Sequence, residues 1–271
     1  AVRRGADGFL YLVTGNYGGF KHEQICGGLS PVIDPYAGVL IRLSPSGDNI
    51  AVLAHGLRNT YDFDFDARGE LIGWDSDGER DVGLPWYRGC RLYHLSVGAD
   101  GGWRSSGSGK LPIHAVDVAR PIVDVGRGSP TGVVVYRHRQ FPHRYRDGVF
   151  IADWTFGRVL FVSLKKGEAT YDGRLEDFLQ SSPKTPFAPC DLEVAPDGSL
   201  VVASGGRGLA GAVYRVTFER RVAAEHQHSP LDRVLRAPSP LDAWSRARWA
   251  PVVKTIPTER FLDAIRDSTR P

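Results

Sequence analysis

The sequence predicts an all-β protein assembled from several small antiparallel sheets, and three observations carry that expectation. Glycine accounts for 32 of 271 residues, about 12% where ~7% is usual, and 18 prolines accompany it. Such a chain is rich in tight turns between short strands. Apolar runs are brief and favour β-branched and aromatic residues, as in Val133-Val134-Val135-Tyr136. A turn ending in glycine and leading into a short alternating strand recurs along the chain. With 42% apolar and 24% charged residues a substantial core can form, which excludes disorder, collagen and coiled coil.

In chain order the recurring turns are Ala6-Asp7-Gly8 before residues 9–13, Ala67-Arg68-Gly69 before 70–72, Arg146-Asp147-Gly148 before 149–151, and Pro196-Asp197-Gly198 before 199–202. Asp-Gly between apolar strands signals a hairpin because both residues tolerate the positive φ of a type I′ turn. The glycines recur every 50 to 80 residues or so, which suits four-stranded sheets with insertions better than a solenoid of constant period. Residues 38–43, 93–97, 158–164 and 212–216 share an alternating pattern and read as one strand of each sheet. Four copies of one sheet read as a β-propeller with about four blades visible. From about Arg220 glycine vanishes and residues 233–236, 241–249 and 259–266 take helical spacing, with Ser239 or Asp242 and Thr258 as caps. The expected organisation is a propeller over 1–219 and, over 220–271, a partly helical tail or the start of a further domain.

Formal charge is only +3, with six lysines against many arginines, so no nucleic-acid footprint is expected. Apolar runs fall far short of the ~20 residues that span a bilayer, and no signal-peptide pattern is present. The chain has no methionine, so Ala1 is not an initiator and the sequence reads as a processed product or a piece of a longer polypeptide, whose other domains are its expected partners. Cys26, Cys90 and Cys190 are isolated and read as packing residues rather than a disulfide or zinc framework. Neither a GxSxG elbow nor a phosphate-cradling loop occurs, which leaves hydrolase and nucleotide readings without support.

The densest polar stretch runs from Gly56-Leu57-Arg58-Asn59 to Gly101-Gly102-Trp103. Within it Asp75, Asp77, Glu79 and Asp81 alternate around Gly78. Their oxygens can converge on one hard cation such as Ca²⁺, or form a solvated acidic turn. Asp62, Asp64 and Asp66 alternate with Phe63 and Phe65 and read as a strand with one polar face. His55 stands next to the Gly56 turn, while His138, His143, His226 and His228 do not take metal-ligand spacing. Asp153-Trp154 closes a predicted strand, facing the channel mouth or wedging blades together.

GLRN followed by a D-x-F turn, an acidic loop and a closing GW resembles the soluble glucose dehydrogenase and sorbosone dehydrogenase family of six-bladed propellers, closest to the "membrane-bound dehydrogenase domain" proteins of planctomycetes. The resemblance continues through Ser129-Pro130-Thr131-Gly132, Tyr145-Arg146-Asp147-Gly148, Asp153-Trp154 and Asp191 to Gly198, covering most of residues 5–217. It implies oxidation of an aldose, sorbosone or polyol by hydride transfer to pyrroloquinoline quinone (PQQ), with calcium polarising the quinone, in a periplasmic or extracellular setting. Arg58 and Asn59 match the family's cofactor-contacting pair, and Asp191 its cofactor-side aspartate. A guanidinium fork suits a carboxylate or quinone oxygen; a pair closing a tight turn is the plainer account. Two departures stand out. The family's proton-abstracting histidine falls before Ala1, and Cys190 replaces the arginine preceding the aspartate, with Arg158 or Arg207 as substitutes. The alternatives are a non-catalytic propeller that binds a carbohydrate or protein partner, and a calcium-dependent lactonase propeller.

Overall fold

The computed structural model describes residues 1–25, 30–104, 110–111, 115–182, 184–206, 208–219, 229–237 and 242–267. Their strands form four antiparallel sheets in chain order. The first holds β1 (Val2–Arg4), β2 (Leu10–Val13), β3 (Gly38–Leu43) and β4 (Ile50–Leu57). The second holds β5 (Phe63–Phe65), β6 (Leu71–Asp75), β7 (Cys90–His94) and β8 (Val123–Gly126). The third holds β9 (Pro130–Val135), β10 (Val149–Asp153), β11 (Arg158–Lys166) and β12 (Tyr171–Gln180). The fourth has β13 (Pro189–Val194), β14 (Leu200–Gly206) and β15 (Leu209–Val216). Helices α1 (Pro230–Leu235), α2 (Ala243–Val253) and α3 (Thr258–Arg266) follow. The architecture is the all-β propeller the repeats predict.

Successive sheets stack because their strands are apolar on both faces. In the third sheet Val133, Val135, Val149, Ile151, Leu160 and Val162 pack with Ile72, Trp74 and Leu92 of the second. Their alternates, Val134, Tyr136, Phe150, Val159 and Phe161, pack with Leu192, Val194, Leu200 and Val202 of the fourth. A third cluster, with Leu40, Leu57, Phe63 and Tyr93, joins the first and second sheets. Side chains alternate across a strand, so a continuous apolar run such as residues 133–136 means burial on both sides.

Polar contacts add register between the first strands of neighbouring sheets. Asp62 Oδ2 accepts from the Val133 amide at 2.9 Å and Asp64 Oδ2 from the Val135 amide at 2.8 Å, tying the second sheet to the edge of the third. Arg3 reaches the same carboxylates, 3.0 Å from Asp62. The alternating aspartates are thus the polar face of a strand, as expected. At the next junction β9 meets β13 backbone to backbone, because a Cβ on Gly132 would lie 2.6 Å from the Leu192 nitrogen.

The turns differ from the expected type I′ geometry. Gly8, Gly69 and Gly198 have positive φ, but the residues before them do not. Each closes a three-residue loop, seen in the amide of Gly5 bonded to the Phe9 carbonyl, Asp66 to Glu70 and Ala195 to Ser199. A type I turn followed by one left-handed residue gives this loop. In the third sheet Asp147 takes the positive φ of 58° and Gly148 packs under Phe161. The strand expected at 93–97 lies at Cys90–His94, since the chain leaves the ladder at Leu95 and turns between Ser96 and Ala99.

In the helical segment Ser229 caps α1, accepting from the Asp232 amide. Asp242 occupies the cap of α2, yet its carboxylate bonds Arg137 at 2.9 Å rather than the helix amides. Pro257 takes the cap of α3 expected for Thr258, which is the first helical residue. Ser239 lies outside the described residues. Among the described residues no helix is long and apolar enough to cross a membrane.

Candidate functional site

Antiparallel order sends the glycine turns to one end of every sheet. The connections between sheets and the loops between second and third strands go to the other. Arg58 and Asn59, in the connection 58–62, therefore share an end with the loop 76–89 that carries Asp77, Glu79 and Asp81. Arg58 Nη1 donates to Ser76 Oγ at 2.8 Å and stands 3.5 Å from Glu79. Asn59 turns its amide toward the first sheet, where a Cβ on Gly15 would meet its Oδ1.

The acidic residues take four separate roles. Asp75 is buried at the end of β6. Its carboxylate accepts from the amides of Arg58 at 2.8 Å and Asn59 at 2.7 Å and from Thr60 Oγ1 at 3.0 Å. Burial pushes its carboxyl up, and these hydrogen bonds oppose that. Asp77 is also buried. Its Oδ2 accepts from the Tyr87 hydroxyl at 2.8 Å, while Oδ1 has no hydrogen-bond partner among the described residues. Burial raises its carboxyl too, against the nearby guanidiniums of Arg58 and Arg127. Glu79 is largely exposed beside Arg58. Asp81 pairs with the enclosed Lys110 ammonium at 2.5 Å and accepts from Trp86 Nε1 at 3.3 Å, and the same ammonium lies 4.5 Å from the centre of the Trp103 ring.

This donor set does not fit a calcium ion. Calcium asks six or more oxygens to converge, whereas Asp75 faces backbone amides, Asp77 a phenol, Glu79 solvent and Asp81 a lysine. Among the described residues no three His, Cys, Asp or Glu side chains gather as a metal site.

Arg58 opens instead on a cleft of about 110 Å³ whose walls include Asn16, Tyr17, Glu79, Arg80, Asp81 and Trp103. Small-molecule pockets generally start near ~300 Å³, so the described residues do not enclose a tricyclic tricarboxylate such as PQQ. Arg58 supplies one cation of the kind a carboxylate needs.

The remaining candidates lie elsewhere. Asp191 is exposed on β13 and accepts from its own neighbour's amide at Leu192. Cys190 directs Sγ to the Ala203 carbonyl at 3.5 Å. Arg158 is engaged by the buried Asp153 at 2.9 Å, and Arg207 and Cys26 lie outside the described residues. Trp154 wedges the third sheet against the fourth, its Nε1 donating to the Gly205 carbonyl at 2.8 Å and its ring lying over Gly206. His55 accepts from the Tyr36 amide through Nδ1, and burial lowers its pKa. Tyr17 and Arg80, which line the cleft, and Tyr87 and Lys110, which bond Asp77 and Asp81, carry no motif in the sequence that marks them for this end.

No protein-family model and no curated protein matches the chain. Solved structures do. The chain is similar to a putative oxidoreductase (glucose dehydrogenase) of Thermus thermophilus at 19% identity and TM-score 0.57, over 79% of this chain and 63% of that one. It is similar to the PQQ-bound aldose sugar dehydrogenase of Streptomyces coelicolor at 19% identity and TM-score 0.52, over 79% and 60%. The soluble aldose sugar dehydrogenase of Escherichia coli matches at 14% identity and TM-score 0.53, over 75% and 60%. The chain thus spans under two thirds of the length of these proteins. What it shares with them is the fold, a β-propeller of the glucose and aldose sugar dehydrogenase type.

Proposed function

We propose that the chain is the propeller of a sugar or polyol dehydrogenase-like protein whose substrate face is the Arg58 end. The carrying observation is the lining of the 110 Å³ cleft, in which two guanidiniums, two carboxylates, an amide and two aromatic residues meet. Planar polar side chains engage vicinal hydroxyls in pairs, and aromatic faces cover the C–H side of a sugar ring. The reaction class we assign is oxidation of a CH–OH group to a carbonyl, for which a quinone-class acceptor, if bound, would take the two electrons, with Arg58 the residue that would face its carboxylate. A periplasmic or extracellular compartment goes with this reading.

A second reading, a non-catalytic propeller that binds carbohydrate, is favoured by the pairing of Asp75 and Asp81 within the protein and by Cys190 in place of a cation. One experiment separates the two. The full-length protein is titrated with glucose, sorbitol and PQQ, with and without calcium, while dye-linked oxidation is followed. Turnover lost in Arg58→Ala supports the dehydrogenase; sugar binding without turnover supports the second reading; absence of both overturns the assignment of this end.

A further inference from the structure

The Arg58 cleft is large enough for one edge of a sugar ring, so its surroundings determine how much ligand is held. Tyr17 forms one wall and is 85% exposed. On another side stands Asp81, which accepts from Trp86 Nε1 at 3.3 Å, and the Trp86 ring remains 41% exposed. That hydrogen bond fixes the indole by its polar edge and leaves apolar ring surface to solvent. Tyr61, in the connection 58–62 at the same end, is 55% exposed.

Single exposed aromatics are ordinary on protein surfaces. Here they share the end that carries the cleft, and one is held in place by a side chain of the cleft itself. Mixed donors and acceptors flanked by aromatic faces match a ligand that is itself amphipathic, with hydroxyls around its edge and C–H groups on its faces. A free monosaccharide seated on the cleft between Tyr17 and Asp81 leaves the surface beyond Asp81 uncovered. A second ring linked to the first would extend past Asp81 toward Trp86, whose indole N–H Asp81 holds.

We propose that this end binds a carbohydrate chain of at least two pyranose rings, one over the Arg58 cleft and the next against Trp86. The proposal rests on the reading of this end as the sugar face and names the ligand class within it, an oligosaccharide rather than a free aldose or small polyol.

The test is calorimetric titration of the full-length protein with glucose and with α- and β-linked glucose tetrasaccharides, for the natural sequence and for Trp86→Ala, Trp86→Phe and Tyr17→Ala. One of the tetrasaccharides is expected to bind at least tenfold more tightly than glucose. Trp86→Ala should reduce that advantage at least fivefold, with Trp86→Phe restoring much of it; circular dichroism confirms that each variant is folded. Glucose and both tetrasaccharides binding equally, or an advantage untouched by Trp86→Ala, overturns the inference and leaves the sugar face standing. Absence of binding by every sugar overturns both.

Discussion

Removing the Asp75 carboxylate tests whether this residue is a strut or a metal ligand. Three donors converge on it within 3.0 Å, the amides of Arg58 and Asn59 and the Thr60 hydroxyl, all in the connection that enters the second sheet. A hydrogen bond to a charged group contributes about 1.5–3 kcal/mol, and a buried donor left unmatched costs about 1–3 kcal/mol. Against these stands the cost of burying the charge, visible in the upward displacement of the carboxyl. The balance for Asp75→Ala is a loss of about 3 kcal/mol, and for Asp75→Asn, which keeps one acceptor oxygen, about 2 kcal/mol. At ~2.1 cal/mol/K of unfolding entropy per residue, 3 kcal/mol lowers Tm of this chain by about 5 °C. Urea unfolding and differential scanning calorimetry read both quantities. A loss under ~0.5 kcal/mol in Asp75→Ala refutes the strut. A calcium-dependent rise in Tm that disappears in Asp75→Asn refutes it in favour of a metal ligand.

Gly132→Ala should cost more than 2 kcal/mol or so, since its Cβ would lie 2.6 Å from the backbone of β13, and urea midpoints will show it. Tyr136→Phe should cost about 1–2 kcal/mol, because the buried hydroxyl both donates to the Gly198 carbonyl at 2.7 Å and accepts from the Phe141 amide at 3.0 Å. Stability should fall as pH drops below ~6.5. Burial lowers the pKa of His55 and His138, so the unfolded chain binds protons that the folded one refuses, and the stabilisation present above the unfolded value is lost beneath it. Urea midpoints at pH 7.5 and 5.5 measure the slope, and replacing both histidines by glutamine should flatten it.

Much of the fold was legible in the sequence because propeller sheets repeat the same local problem. Each needs a turn with one left-handed residue between its first two strands, and Gly8, Gly69 and Gly198 meet that need. Residues 133–136 announce burial on both faces, which stacked sheets provide. Finer geometry was less legible. Asp-Gly allows two positive φ angles in succession but does not require them, and the three-residue loop uses one. Strand β7 lies three residues before its expected place because Leu95 is as buried as the strand residues, although its amide serves the turn end through Leu71.

The acidic loop looks like one unit in the sequence because its residues are close together, whereas the repeat separates them. Asp75 follows its turn glycine by six residues, Ser204 follows Gly198 by six and Asp153 follows Gly148 by five. Asp75 and Asp153 end the second strand of their sheets, Ser204 stands two residues before the end of its own, and all three face the connection that enters the sheet. Asp75 takes the amides of Arg58 and Asn59, Asp153 that of Ser129 at 3.0 Å, and Ser204 Oγ that of Ala188 at 3.0 Å. In the second, third and fourth sheets an acceptor at this place, carboxylate or hydroxyl, therefore serves the entering backbone rather than a ligand. Thr14 holds the corresponding place in the first sheet, but its hydroxyl accepts from the Val39 amide of β3 at 3.2 Å rather than from an entering connection. Asp77, Glu79 and Asp81 lie past that point, in a loop of fourteen or so residues where the third and fourth sheets have short turns. What the repeat does not demand is what this chain has available for a ligand. By that criterion Asp75 belongs to the scaffold, whereas the cleft between Arg58 and Asp81, which Tyr17 lines and beside which Trp86 stands, lies outside what the repeat requires, and it is there that the proposed sugar face sits.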